Sequence, residues 1–333
     1  MGSYKITDGV VELGKVSLPI PNTISPEARA YLAFDPHQEV ADGAVPAPMW
    51  AMRDTLAPMF QYLNTQAQEA YPVTIEEIAI AGVRCHLIKP ESGPVATNRV
   101  LINLHGGGFV LGSGSLVEAI PIAHENGCAV IAIDYRLAPE HPFPAAIDDI
   151  LSVYRVVLEN HPAHEIGIFG TSAGGFLTAM TIMRLKKEGL PLPACCGIFT
   201  AGGDVTELGD TFNLFTLSGF YGDIGTKLED PICERNVFVG NADHDDPLLV
   251  PIKGDLSDFP PTLLVTGTRD AVLSATAMFH RALRRAGREA DLYVFEAMPH
   301  GFWFSVQMPE SREAIAAMAA FFERHLPPSD VKQ

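Results

Sequence analysis

Gly170-Thr171-Ser172-Ala173-Gly174 is a G-x-S-x-G set between a strand-like apolar run, Ile166 to Phe169, and residues recurring at helical spacing, Phe176, Met180 and Met183. A serine held on a sharp strand-to-helix turn, its hydroxyl projecting from the sheet, is a nucleophile elbow. Flanking glycines suit such a turn, because a Cβ there would strike the neighbouring strand or helix. A serine hydroxyl is a poor nucleophile near neutral pH, so it needs a base, and the base needs an orienting acid. The pentapeptide alone is a short pattern that loops also collect. The partners must come from elsewhere in the chain.

A second motif stands upstream: His105-Gly106-Gly107-Gly108, at the end of the apolar run Val100, Leu101, Ile102, Leu104. Glycine-rich loops after strands also cradle phosphates, but this one has neither G-x-x-x-x-G-K-[ST] nor G-x-G-x-x-G spacing. No Lys or Arg lies between His105 and His124 to meet a phosphate. The loop reads instead as an oxyanion hole, with backbone amides of Gly107, Gly108 and Ala173 converging on the oxygen of a tetrahedral intermediate. His105 reads as a structural side chain that orients the loop.

Acid and base follow in the order nucleophile, acid, histidine. Thr262 to Thr266 reads as a buried strand ending in Gly267-Thr268-Arg269-Asp270, and Leu292 to Phe295 as another, followed by Glu296 to Phe302 with His300 inside. Asp270 and His300 thus fall in loops at the same sheet edge. A helix-capping role for Asp270, ahead of the helical composition of Ala271 to Gly287, is compatible with the acid role. Asp255, Asp258 and Glu296 are the alternative acids. His124, His141, His161, His164, His244 and His280 follow no late strand.

These motifs resemble the bacterial hormone-sensitive lipase-like esterases, the branch of the α/β-hydrolases with H-G-G-G before a G-[DT]-S-A-G elbow. The run from Asp134-Tyr135-Arg136-Leu137-Ala138-Pro139-Glu140 to Ala146 is similar to one typical of that family. The resemblance covers the chain from about Tyr71 onward. It implies Ser172 as nucleophile, Asp270 as acid, His300 as base, and Gly107, Gly108 and Ala173 as oxyanion donors. Thr171 stands where many relatives carry Asp, and Asp270-Ala271-Val272-Leu273 lacks the proline that often follows the acid.

Strand-like and helical runs alternate from about Thr74 to Phe295, which predicts a mostly parallel sheet covered on both faces. Eight strands are expected near Ile75–Ile80, Val83–Ile88, Val100–Leu104, Ala129–Asp134, Ile166–Phe169, Cys196–Thr200, Thr262–Thr266 and Leu292–Phe295. The stretch ahead of the sheet resembles that family's cap, which implies an N-terminal cap segment over residues 1–70, with a surface loop at Pro36 to Pro48 and a helix over Met49 to Gln66 that Pro58 kinks. Residues 71–333 form the expected catalytic domain, to which 202–249, too long for a simple connection, adds further cap. Met49, Trp50, Met52, Phe109, Phe215, Phe220 and Tyr221 are candidates to line the pocket beneath this helical cap.

At 333 residues and 47% hydrophobic, the chain can bury one large core. Its formal charge of −17 argues against nucleic acid or an anionic membrane as partner. No charged-then-apolar leader and no run of spanning length is visible, so a cytoplasmic protein without membrane insertion is expected. Five cysteines without metal-type spacing read as reduced thiols, and Asp243-His244-Asp245-Asp246 as a solvated loop rather than a metal site. No metal or cofactor is needed for the expected chemistry.

The expected activity is that of a serine carboxylesterase acting on short to medium acyl esters through an acyl-enzyme. The same triad could serve an amidase or formamidase, and the same pocket a non-catalytic receptor for a small ligand. The resemblance also implies a possible homodimer.

Overall fold

The computed structural model describes residues 4–7, 10–13, 18–34, 48–93, 95–220, 227–328 and 330. Most of the loop expected at Pro36 to Pro48, and Tyr221, lie outside these residues. The chain opens with a hairpin, β1 (Tyr4–Thr7) against β2 (Val10–Leu13), separate from the main sheet. Helix α1 (Pro26–Ala33) follows, then a 3₁₀ turn at Met49–Met52 leading into α2 (Arg53–Ala70). Pro58 lies inside α2, where it removes one backbone donor.

The main sheet begins with β3 (Val73–Ile80) and β4 (Val83–Pro90). Next come β5 (Ala96–Leu104), α3 (Ala119–Asn126), β6 (Cys128–Ile133), α4 (Ala145–Asn160), β7 (Ile166–Thr171) and α5 (Ala173–Glu188). The chain continues through β8 (Cys195–Phe199), α6 (Glu234–Val239), β9 (Thr262–Gly267), α7 (Leu273–Arg285), β10 (Ala290–Phe295) and α8 (Pro309–His325). The eight strands lie in the order β10-β9-β8-β7-β5-β6-β4-β3. Among the described residues of this sheet, only the β3–β4 and β4–β6 pairings are antiparallel.

All eight expected strands are present, and their boundaries move for local reasons. β5 starts earlier, at Ala96, and its register against β6 is irregular between Ala96 and Val100, where polar Thr97, Asn98 and Arg99 hide the strand from a hydropathy reading. β8 stops before Thr200, whose φ of 43° leaves the extended region.

Period-two alternation sends neighbours to opposite faces of the sheet. Ile102, Ile168, Ile198 and Leu264 join one core cluster with residues of α4, α5 and α7, including Ile150, Leu177 and Phe279. Leu101, Phe169, Phe199 and Leu263 join the other, with Ile120 of α3, Ile315 and Phe322 of α8, and Leu32 of α1. Both faces of the central strands β5, β7, β8 and β9 are thus dry, and a parallel sheet with both faces covered reads as continuous apolar runs. The loops at the carboxyl ends of β5, β7, β9 and β10 therefore gather at one edge.

Candidate active site

Ser172 sits between β7 and α5 at φ 57° and ψ −121°, a conformation that a non-glycine residue adopts only under constraint. The constraint is visible. Its amide donates to Phe199 O at 2.8 Å, and its carbonyl accepts from Gly175 N at 2.9 Å and Phe176 N at 3.1 Å. A Cβ on Gly174 would stand 1.8 Å from Leu104 O, so only glycine lets the start of α5 lie against the end of β5.

Asp270 follows β9 and is fully buried, at 0% exposed. Its Oδ1 lies 2.9 Å from His300 Nδ1 and also accepts from Val272 N at 3.0 Å, while Oδ2 accepts from Thr266 Oγ1 at 2.6 Å. His300 follows β10, and its Nε2 lies 2.8 Å from Ser172 Oγ. The three side chains form one hydrogen-bonded line from a buried carboxylate to a hydroxyl. The two loops meet because Gly267 has no side chain: a Cβ there would be 2.0 Å from Met298 O.

The glycine loop closes over this line. Gly107 has φ 118°, and its carbonyl accepts from Leu111 N at 2.8 Å, so the loop turns back on itself. Among the described residues, the amides of Gly107, Gly108 and Ala173 donate to no acceptor. Three unspent donors beside a serine hydroxyl suit an oxygen that becomes negative.

His105 is buried, its Nδ1 donates to Gly106 O at 2.7 Å, and burial holds its pKa below the ordinary imidazole value. Tyr135 stacks on its ring, centroids 4.2 Å apart, and donates to His105 O at 2.6 Å. The Asp134-to-Ala146 run therefore braces the glycine loop from behind. Arg53, at the start of α2, ties the same parts together by donating to Val110 O at 2.7 Å and pairing with Glu140 at 2.8 Å.

The alternative groups lie elsewhere. Asp255 and Asp258 pair with Lys186 at the surface, and Glu296 faces Thr268 at 3.4 Å. His161 pairs with Glu165, and His280 meets Ala290 O. Asp245 of the acidic run holds Lys253 at 2.6 Å. The five cysteines are buried and unpaired, and burial pushes the thiols of Cys85, Cys128 and Cys196 up to about 12.

A cavity of about 270 Å³ opens on Ser172 and His300. Met49 and Phe109 line it, as expected, but Trp50, Met52, Phe215 and Phe220 do not. Trp50 packs against the core instead, and a turn closed by Thr216 N to Phe220 O at 2.9 Å presents Leu217 to the cavity in place of the phenylalanines. The α2 wall is Leu56, Met59 and Phe60, whose i, i+3, i+4 spacing marks one helix face and was the available signal. Thr266 and Arg235 are further site residues that sequence reading does not single out.

A family model for the α/β-hydrolase fold matches residues 101–304, more than half of the chain. The chain belongs to that family. Within it, the chain falls in the hormone-sensitive lipase-like branch. It is 31% identical to the solved esterase E25, with a TM-score of 0.82 over 95% of this chain and 99% of that one. An esterase of the bacterial hormone-sensitive lipase family matches at 27% identity and a TM-score of 0.70, over 85% of this chain and all of that one. An esterase of Acinetobacter venetianus is 30% identical over 80% of this chain and 88% of its own length. An acetyl-hydrolase of Streptomyces hygroscopicus is 31% identical over 67% and 75%.

Proposed function

We propose that the protein is a serine carboxylesterase that hydrolyses short to medium acyl esters through an acyl-enzyme. The observation that carries this is the continuous line Asp270–His300–Ser172, with separations of 2.9 and 2.8 Å, beside the three unspent amides.

In this mechanism His300 Nε2 takes the Ser172 proton as Oγ attacks the ester carbonyl, and Asp270 holds the Nδ1–H tautomer and stabilises the imidazolium. Gly107, Gly108 and Ala173 receive the oxyanion, each such donor being worth about 3 kcal/mol. The proton then passes from His300 to the leaving alkoxide. Water, deprotonated by the same imidazole, releases the acid and restores Ser172.

Residues 1–70 act as a cap segment on a catalytic domain of 71–333, with 202–249 adding to the cap. Met49, Leu56 and Phe60 from the first stretch and Leu208, Phe212 and Leu217 from the second wall the cavity. An apolar cavity of about 270 Å³ favours short or medium acyl groups. Among the described residues no helix is long and apolar enough to cross a membrane.

The test is hydrolysis of p-nitrophenyl esters from acetate to laurate by the wild type, Ser172→Ala and His300→Ala. Turnover that falls with chain length and drops by several orders of magnitude in both variants is expected. A folded wild type inert on every ester, or Ser172→Ala with substantial residual activity, defeats the reading.

A further inference from the structure

Among the described residues, Arg235 of α6 is the only Lys or Arg lining the cavity that holds Ser172 and His300. It is buried, at 7% exposed. Its Nη1 reaches Val205 O at a long 3.3 Å, its Nε has no hydrogen-bond partner among the described residues, and its guanidinium lies 4.7 Å from the Phe212 ring centroid. No described carboxylate pairs with it. Its neighbour Glu234, the other charged lining residue, turns towards the glycine loop, with Cγ 2.8 Å from where a Cβ on Gly108 would stand. Other arginines of the chain, Arg53, Arg99 and Arg136, each meet a carboxylate within hydrogen-bond distance.

A buried cation without a counterion is costly, and a ring face compensates only part of that cost. A guanidinium offers five donors in a planar fork matched to carboxylate geometry. Apart from Arg235 and Glu234 the cavity wall is mainly apolar, so an anion that reached Arg235 would be held in a poorly solvated setting where pairing is strong. Resting on the carboxylesterase reading above, we propose that Arg235 is a specificity-determining residue that receives a carboxylate carried by the ester substrate. It takes part in no bond change: Ser172 Oγ still forms the acyl bond, the alcohol still leaves with the His300 proton, and the carboxylate remains ionised throughout.

The substrate's carboxylate can stand on either side of the ester, and two substrate pairs separate these sources. The p-nitrophenyl monoester of glutaric acid against p-nitrophenyl butyrate places it on the acyl side. The butyrate ester of 4-hydroxybenzoate against that of its methyl ester places it on the alcohol side. In one pair, kcat/KM is expected to favour the carboxylate by about tenfold or more, and the ratio to collapse by about tenfold in Arg235→Gln, chiefly through KM. Arg235→Lys, which keeps the charge but loses the fork, should retain part of the preference. A wild-type preference for the neutral ester in both pairs, or an equal loss on both members of each pair in Arg235→Gln, overturns the proposal. If the variants do not fold, the wild-type ratios decide alone. If the wild type hydrolyses none of the four esters, the esterase reading fails. Calorimetric binding of glutarate then decides whether Arg235 still receives a carboxylate: saturable binding to the wild type that is lost in Arg235→Gln supports that role, and no binding overturns it.

Discussion

Asp270 and His300 lie thirty positions apart in the chain, yet Oδ1 of the first is 2.9 Å from Nδ1 of the second, with the carboxylate completely buried. A carboxylate there accepts only, so the imidazole carries its proton on Nδ1 and leaves Nε2 free to accept from Ser172. An Asn amide would instead offer a donor to Nδ1 and move the imidazole proton to Nε2. Asp270→Asn is therefore expected to lower kcat by about 10⁴-fold with the fold intact, the size of effect known for this exchange in serine proteases. Steady-state kinetics beside a circular dichroism spectrum reads it, and a loss below about tenfold would remove Asp270 from the mechanism.

Thr266 holds the other carboxylate oxygen, Oδ2, at 2.6 Å inside the same buried strand end. Thr266→Val keeps the shape and removes the donor. A lost hydrogen bond to a buried charge costs about 2 kcal/mol, so stability should fall by roughly that amount. kcat should fall about tenfold as Asp270 loses its orientation, with KM unchanged. Thr266→Ser should restore most of both, because only the hydroxyl matters to this argument.

How much of this is legible in the sequence depends on whether burial leaves a mark on residue order. Ser172, Asp270 and His300 can be placed at one sheet edge because each follows a parallel strand with a mostly apolar run, so the loop after it stands out. Thr266 cannot, since it lies within the very run that identifies β9 and its partner is fixed only by the turn that follows. Arg235 is equally hidden: nothing around Glu234 to Val239 shows that the guanidinium is buried beside Phe212 rather than solvated. The cavity wall fails for another reason. Of the residues expected there, Trp50, Met52, Phe215 and Phe220 lie off the wall, whereas helix periodicity through Leu56, Met59 and Phe60 marks its α2 side.

The glycines test how close the elements stand. A Cβ at Gly174 would be 1.8 Å from Leu104 O, a backbone atom that cannot move aside. Gly189 has φ 64° but nothing within 4 Å of its Cβ position. Gly189→Ala should therefore cost only about 1 kcal/mol, the left-handed penalty alone. Gly174→Ala should cost about 3 kcal/mol or more by overpacking. Urea denaturation of the two variants compares them directly. Equal midpoints would mean that the contact between β5 and α5 does not fix the elbow.

Glu118 supplies a prediction in pH. It precedes α3 at 1% exposed and makes no side-chain capping bond; among the described residues its Oε1 accepts from Asn103 Nδ2 at a long 3.4 Å and its Oε2 has no partner. Burial pushes its pKa up to about 7 from an ordinary value of 4.5. Because the folded value is the higher one, the folded protein binds more protons between those two values, and stability falls as pH rises across that window. Below it both states are protonated, and the stability that Glu118 contributes is fully present. Above it both are ionised, and that contribution is lost, a loss on the order of 3 kcal/mol. Glu118→Gln has nearly the same shape and no charge to bury. The variant should match the wild type at pH 4.5 and exceed it by pH 8, the difference growing through the window. Thermal or urea unfolding of both proteins over that range measures the difference, and a gap independent of pH would show that Glu118 does not take up a proton on folding.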